Sequence, residues 1–264
     1  MLALLVLALV TAAAPGSGLP LRGEAAERFL REATVVARKP IGVGVTLPEK
    51  LTLSDGNETH HAVWKTINEL RYETTRGPRG AIQLTASDSY RYEVAAYELD
   101  KLLDLGIVPP TVERVIDGKR GSLQLWVEGA ITELDRRKKG LEAEDVLAWS
   151  DALSRLRLFK QLIYDSDAAN LQNVLYDAAF HVYAIDHSRA FLTFPRLPRE
   201  EALVRFPRSV ITALESLTRE RLDETLRAWL SPDEIEGLFS RHDEMLDRVR
   251  ALVLRLGAET VLYP

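Results

Sequence analysis

Cysteine is missing from all 264 residues, which excludes disulfides, zinc–thiolate centres and thiol nucleophiles. Excess positive charge is missing too. The 34 Lys and Arg against 39 Asp and Glu leave a formal net charge of −5, which argues against a nucleic-acid-binding surface. Past the first few residues no apolar run approaches the roughly 20 residues that a membrane-crossing helix needs. Neither a Gly-x-Ser-x-Gly elbow nor a Walker-type phosphate loop occurs, so serine-hydrolase and P-loop chemistry lack their signatures. Internal repeats and low-complexity tracts are also absent. What remains is ordinary globular material, 46% hydrophobic and 28% charged, enough for one large domain or two lobes sharing a cleft.

The amino terminus stands apart. Met1 to Val10 is apolar and is followed by Ala12-Ala13-Ala14-Pro15, the pattern of a secretory signal peptide with an Ala-x-Ala-like cleavage site. This predicts a signal peptide over 1–14, a Pro/Gly-rich linker over 15–24, and export to a periplasmic or extracellular location. The stretch lacks a basic leader, so a mis-called start of a cytoplasmic protein, or a buried N-terminal helix, is the competing reading.

Along the chain, Ala25 to Ala37 has helical or mixed periodicity. Pro40 to Thr46 and Lys50 to Leu53 read as a hairpin, and Ser54-Asp55-Gly56-Asn57 as the turn into a further strand ending at Lys65. Gly77-Pro78-Arg79-Gly80 marks a loop. Ala96, Leu99 and Leu103 repeat with helical spacing and predict one buried stripe. Val108-Pro109-Pro110-Thr111-Val112 must be extended, because a residue before proline avoids the helical region. Asp117-Gly118 is a hairpin turn leading into a strand over Gly121 to Glu128. Arg136-Arg137-Lys138-Lys139 reads as a solvated loop. From Glu142 onward the pattern is helical, with Val146, Trp149, Leu153, Leu156 and Lys160 on one face. Ser231-Pro232-Asp233-Glu234 is a strong helix start, Ile235, Leu238, Met245, Val249, Leu252 and Leu256 form its stripe, and Gly257 suits its stop. A β-rich first part and a helical second part predict an α+β protein of two lobes, 25–128 and 129–264.

Phosphoryl transfer to a hydroxyl requires a carboxylate to accept the acceptor's proton, an amide and a second carboxylate to hold metal, and a lysine steadied by a glutamate. The chain offers each of these in order. Lys65 ends the apolar run His60 to Trp64, and Glu93 lies early in an apolar helix, with Glu98 as the runner-up partner on a different face. Asp167 is followed by Asn173, and Asp186 ends the run Val182 to Ile185. An acid ending a buried strand usually marks a site, because an unpaired buried carboxylate is costly. Gly42 and Gly44 precede the lysine strand and could let the backbone approach phosphates closely. Asp165 with Asn170 gives a second registration of the acid–amide pair. Asp165, Asp167, Asp186 and His187 could instead serve a metal-dependent hydrolase, but that explains neither Lys65 nor the Glu93 helix. His60 and His61 point to opposite faces of a strand and cannot easily share a metal.

The strings Glu93-Val94-Ala95-Ala96-Tyr97 through Leu105-Gly106-Ile107-Val108-Pro109-Pro110-Thr111-Val112, and Ala184-Ile185-Asp186-His187-Ser188, resemble bacterial members of an atypical kinase superfamily. It comprises the phosphatidylinositol 3/4-kinase-like, HipA-like and secretory-pathway (Golgi casein kinase-like) enzymes. The resemblance covers roughly residues 30 to 195. It implies a two-lobed protein-kinase-like fold and transfer of the γ-phosphoryl group of ATP to a hydroxyl, with a protein as the expected acceptor. In that scheme Lys65 grips phosphate, Glu93 orients it, Asp167 is the base, and Asn173 and Asp186 hold Mg2+ or Mn2+. Gly42, Gly44, Gln124 and Trp126, the last two on a strand of the type that becomes the hinge, join Lys65 in binding the nucleotide. The chain departs from the family in its catalytic loop. The usual acid-to-amide spacing is five; Asp167 to Asn173 is six, and Ala168-Ala169 stands where arginine is common. The resemblance therefore also admits a pseudokinase that binds nucleotide without turnover.

Overall fold

The computed structural model of the protein describes residues 18–42, 48–71, 75–76, 80, 82–83 and 86–264. Residues 1–14, Gly44 and Gly77-Pro78-Arg79 lie outside the described residues.

The first half is built on an antiparallel sheet. Helix α1 (Gly23–Glu32) leads into β1 (Thr34–Pro40), β2 (Glu49–Ser54) and β3 (Thr59–Lys65). Short strands follow at β4 (Asn68–Arg71), β5 (Thr75–Arg76), β6 (Ile82–Gln83) and β7 (Ala86–Ser89), then helix α2 (Tyr90–Leu103), β8 (Thr111–Ile116) and β9 (Lys119–Leu125). The five longer strands order as β1-β2-β3-β9-β8. Alternation puts Leu51, Leu53, Ala62, Trp64, Leu123 and Leu125 on one face, where they pack with Ala26, Phe29 and Leu30 of α1. The opposite face carries Lys65, opposite Ser122, and Val63, opposite Gln124. Asp117-Gly118 turns the β8–β9 hairpin with positive φ at both residues, 51° and 77°.

The first hairpin sits differently from the sequence expectation. The strand expected over Pro40 to Thr46 ends at Pro40, and β-branched Thr34-Val35-Val36 begins it directly after α1. Residues 43–47 lie outside the described residues, and on either side of them the Ile41 N–H donates to Pro48 O at 3.0 Å. Gly42, at φ 72°, is exposed.

The second half is helical around a small sheet of β10 (Ile131–Thr132), β11 (Val174–Tyr176) and β12 (Val182–Ala184). The expected basic loop at Arg136–Lys139 is instead the end of helix α3 (Glu133–Lys139). Thr132 caps it, acids occupy its first turn and cations its last, the arrangement the helix dipole favours. Arg136 and Arg137 both pair with Glu133, at 2.6 and 2.5 Å. Helix α4 (Val146–Leu162) buries Leu156, Leu158, Phe159 and Lys160, but Val146 and Leu147 at its start are 59% and 84% exposed, so Val146 does not join the buried face. Leu162-Ile163-Tyr164 finishes this helix and its cap.

Then come β13 (Phe206–Pro207), α5 (Arg208–Ser216), α6 (Arg219–Leu226), α7 (Pro232–Leu256), α8 (Ala258–Val261) and β14 (Leu262–Tyr263), which pairs in parallel with β13. A capping box between Ser231 and Glu234 starts α7. Its Ile235, Leu238, Met245, Val249 and Leu252 enter the main core with α2, α4, α5 and α6, while Leu256 stays partly exposed. The result is an α+β protein of two lobes, β-rich in the first and helical in the second.

One short segment touches both lobes. Gly18 exchanges two backbone hydrogen bonds with Glu128, at 2.8 and 2.9 Å, just after β9. Leu19 and Leu21 pack on the first lobe's core, and Arg22 donates to the Tyr183 hydroxyl on β12 at 3.2 Å.

Candidate active site

Strand β3 ends with Lys65 pointing away from the sheet's apolar face, and α2 begins with Ser89 capping Arg91 N. Glu93 therefore lies in the first turn of α2, where the helix dipole favours a carboxylate. The Lys65 ammonium donates to Glu93 Oε1 at 2.5 Å and to Asp186 Oδ1 at 2.7 Å. The other Glu93 oxygen accepts the His187 N–H at 3.1 Å, and Ser89 N–H donates to Ser188 O at 2.8 Å. The start of α2 is thus zipped to the segment after Asp186. Glu98, the runner-up partner, pairs with Lys101.

Burial opposes the charge on Lys65, but Glu93 and Asp186 together push its pKa up. Burial also acts against ionised Asp186, and the Lys65 ammonium outweighs it, holding the carboxyl below its usual range. Asp186 has φ 60°, a backbone conformation that side-chain-bearing residues avoid unless their surroundings enforce it. Such strain is a common mark of a working site.

Antiparallel pairing of β11 and β12 brings the amide to the acid. Val174 faces Ala184, and Asn173 O accepts the Ile185 N–H at 3.1 Å, so Asn173 and Asp186 leave the same end of one ladder. Asn173 closes a 3-10 turn over Leu171–Asn173. Its side-chain N–H donates to Asp167 Oδ2 at 3.0 Å, and the Asn170 amide donates to the same oxygen at 2.9 Å. The turn thus holds the expected acid and amide in direct contact across their six-residue spacing. Asp186 and the Asn173 amide oxygen are hard oxygen donors suited to Mg2+ or Mn2+, with phosphate oxygens and water completing the shell. Among the described residues no group of three or more His, Cys, Asp and Glu forms a self-sufficient metal site.

The two candidate bases differ in burial. Asp167 is partly exposed, whereas Asp165 is 6% exposed and lies beneath the loop. Asp165 Oδ1 accepts the Asp167 N–H at 2.9 Å, and its Oδ2 lies 3.6 Å from the Lys160 ammonium. Burial pushes the Asp165 carboxyl up, against the pull of Lys160 and His187. His187 is fully buried, and burial pushes its imidazole down to about 4. Neither group is presented to a substrate.

Gln124 is buried, donates to Thr111 Oγ1 at 2.9 Å, and shares the face of Lys65. Trp126 follows two residues on; its N–H donates to His61 O at 2.9 Å, and the Lys50 ammonium sits 4.0 Å over its ring. A cavity of about 630 Å3 lined by Asn68, Tyr92, Phe191 and Trp229 lies beside this cluster and includes none of Lys65, Asp167, Asn173 and Asp186.

Sequence reasoning missed Arg241. It is fully buried in α7 and donates to Leu162 O at 2.7 Å, to Leu192 O at 2.8 Å and to Phe194 O, bracing the segments on either side of the candidate loops. The signal was present: an arginine between Leu238 and Met245 on an otherwise apolar helix stripe. Arg189, just past the candidate metal-holding acid, pairs with Asp88 at 3.1 Å.

No protein-family model matches the sequence, and no curated protein matches it. Among solved structures the chain is similar to hydra Fam20, solved with sugar, at a TM-score of 0.64 and 17% identity over 90% of each chain. It is also similar to the Helicobacter pylori proinflammatory kinase CtkA, at a TM-score of 0.46 and 13% identity over 86% of this chain and 98% of that one. The fold is that of Fam20, a kinase-like fold.

Proposed function

We propose that the protein is an ATP-dependent phosphotransferase that moves the γ-phosphoryl group to a hydroxyl, with a protein as the first acceptor to test. The observation that carries this reading is the Lys65 ammonium bonded to both Glu93 and Asp186, with Asp167 and Asn173 joined on the neighbouring loop. Lys65 would turn to the nucleotide phosphates while Glu93 holds its stem in place. Gln124, Trp126 and the Gly42 connection would border the nucleotide. Asp167 would take the proton of the acceptor hydroxyl, oriented by the amides of Asn170 and Asn173. A divalent ion held by Asp186 and Asn173 would neutralise charge on the transferring phosphates.

Two alternatives are weighed by particular observations. The extra loop residue and Ala168-Ala169 favour a nucleotide-binding pseudokinase. Burial of Asp165 and His187 weighs against the hydrolase. Export through residues 1–14 belongs to the same proposal and is checked by mass spectrometry of the mature N-terminus, where an intact Met1 would refute it.

The test is incubation of the purified protein with labelled ATP and Mg2+ or Mn2+, scored for autophosphorylation and for transfer to proteins. Glycans belong in the acceptor panel, since the Fam20 structure was solved with sugar. Transfer supports the reading. Metal-dependent ATP binding without transfer selects the pseudokinase, and absence of both rejects the nucleotide assignment.

A further inference from the structure

The loop bearing Asp167 lacks the arginine expected after its acid, and Ala168 and Ala169 offer no polar side chain in its place. Something else has to hold this loop. Lys160, in the last turn of α4, is 7% exposed, and its ammonium lies 3.3 Å from Ala168 O and 3.6 Å from Asp165 Oδ2. Asp165 in turn accepts the Asp167 N–H through Oδ1 and the Ala168 N–H through its backbone oxygen, at 2.9 and 3.2 Å. One buried cation and one buried anion thus tie a helix end to three successive links of the loop.

We propose that the buried Lys160–Asp165 pair is a positioning device that sets the Asp167 carboxylate from below, standing in for the missing loop arginine. This rests on the phosphotransferase reading for its functional meaning. A buried ion pair is a poor source of stability, because removing two charges from water costs about as much as their attraction returns, and apolar replacement is often neutral. What such a pair can supply is geometry. Asp165 Oδ2 has no hydrogen bond at all, so the pair is not arranged for the best local bonding. The contacts that are made run to the backbone on both sides of Asp167. A base displaced by about 1 Å can lose on the order of 100-fold in rate.

The test removes both charges together, so that neither is left buried alone. In Lys160→Met/Asp165→Leu we expect a thermal midpoint close to that of the parent, a KM for ATP within about 2-fold, and kcat lower by at least ~10-fold. Amide hydrogen exchange should quicken over 165–173 and nowhere else. Lys160→Arg, which keeps the cation, should retain most of kcat and the protection of the loop. Unchanged kcat with unchanged exchange in the double variant overturns the proposal. So does a loss of kcat that merely tracks a fall in thermal midpoint and faster exchange throughout, because that is a structural role. If the parent transfers no phosphate, the exchange arm decides alone. Quickening confined to 165–173 then supports the positioning role while the phosphotransferase reading fails, and unchanged exchange rejects the positioning role as well.

Discussion

At the Lys65 end of the cleft, three charged groups meet directly, with the ammonium 2.5 Å from one carboxylate and 2.7 Å from the other. At the Asp167 end, one partly exposed carboxylate is held by two neutral amides of its own loop. The first arrangement leaves little latitude. Lys65, Glu93 and Asp186 come from three separate elements, two of them are largely buried, and a shift in any one strands a charge. The second tolerates change, because amides are neutral and a 3-10 turn can absorb an insertion. On the phosphotransferase proposed above, the rigid end would face the nucleotide and the tolerant end the acceptor.

The comparison can be broken at its rigid end first. Asp186→Ala removes the proposed metal donor and a partner of Lys65. We expect metal-dependent ATP binding to vanish by calorimetry and transfer to fall on the order of 1,000-fold or more. Retained metal-dependent binding would mean that the rigid end is not the nucleotide end. Asp167→Ala comes next. It should leave ATP affinity nearly unchanged and cut kcat by roughly 100- to 10,000-fold, the range for loss of a general base. Asp165→Ala is its control, and if that variant stops transfer by abolishing the chemical step while Asp167→Ala does not, the base has been misassigned.

The smallest effect concerns the far end of the glutamate helix. Asp100 accepts the N–H groups of Gly106, Ile107 and Val108, yet burial outweighs them and pushes its carboxyl up to about 7. A raised folded-state pKa gives stability that is full below the unfolded value near 4 and is lost as pH rises through about 7. In thermal melts at pH 4.5 and 7.5, Asp100→Asn should therefore gain on the parent at the higher pH. A gap independent of pH would show that the three amide bonds keep Asp100 ionised.

Much of the rigid end was legible in the sequence. Lys65 and Asp186 each end an apolar run and Glu93 sits at a helix start, and the resemblance to the atypical kinases is what implied that the three meet. The loop was less legible, because spacing cannot report depth. Asp165 and Asp167 are two residues apart and equivalent on paper, and only the packing of α4 beneath them buries one. Arg136–Lys139 was misleading because a block of cations looks solvated, whereas cations also gather in the last turn of a helix. The start of the first hairpin was missed because Thr34-Val35-Val36 follows directly on the helix and its strand character was read as mixed periodicity. Export, the glycine at 44 and the role of the amino terminus belong to residues outside this description.

The segment Gly18 to Arg22 has a mechanical consequence. A single chain crossing between two bodies lets them swing and twist about it alike. Here a second segment lies alongside the connection, bonded backbone to backbone at Gly18 and Glu128, anchored by Leu19 and Leu21 on one lobe and by the Arg22 side chain on the other. Any movement that parts Gly18 from Glu128 must therefore break two backbone hydrogen bonds together, so the connection is fastened on its flank as well as along the chain. The fastening depends on one missing methyl group. A Cβ at Gly18 would lie 2.7 Å from Asp177 Oδ2, and the φ of 103° there suits glycine alone.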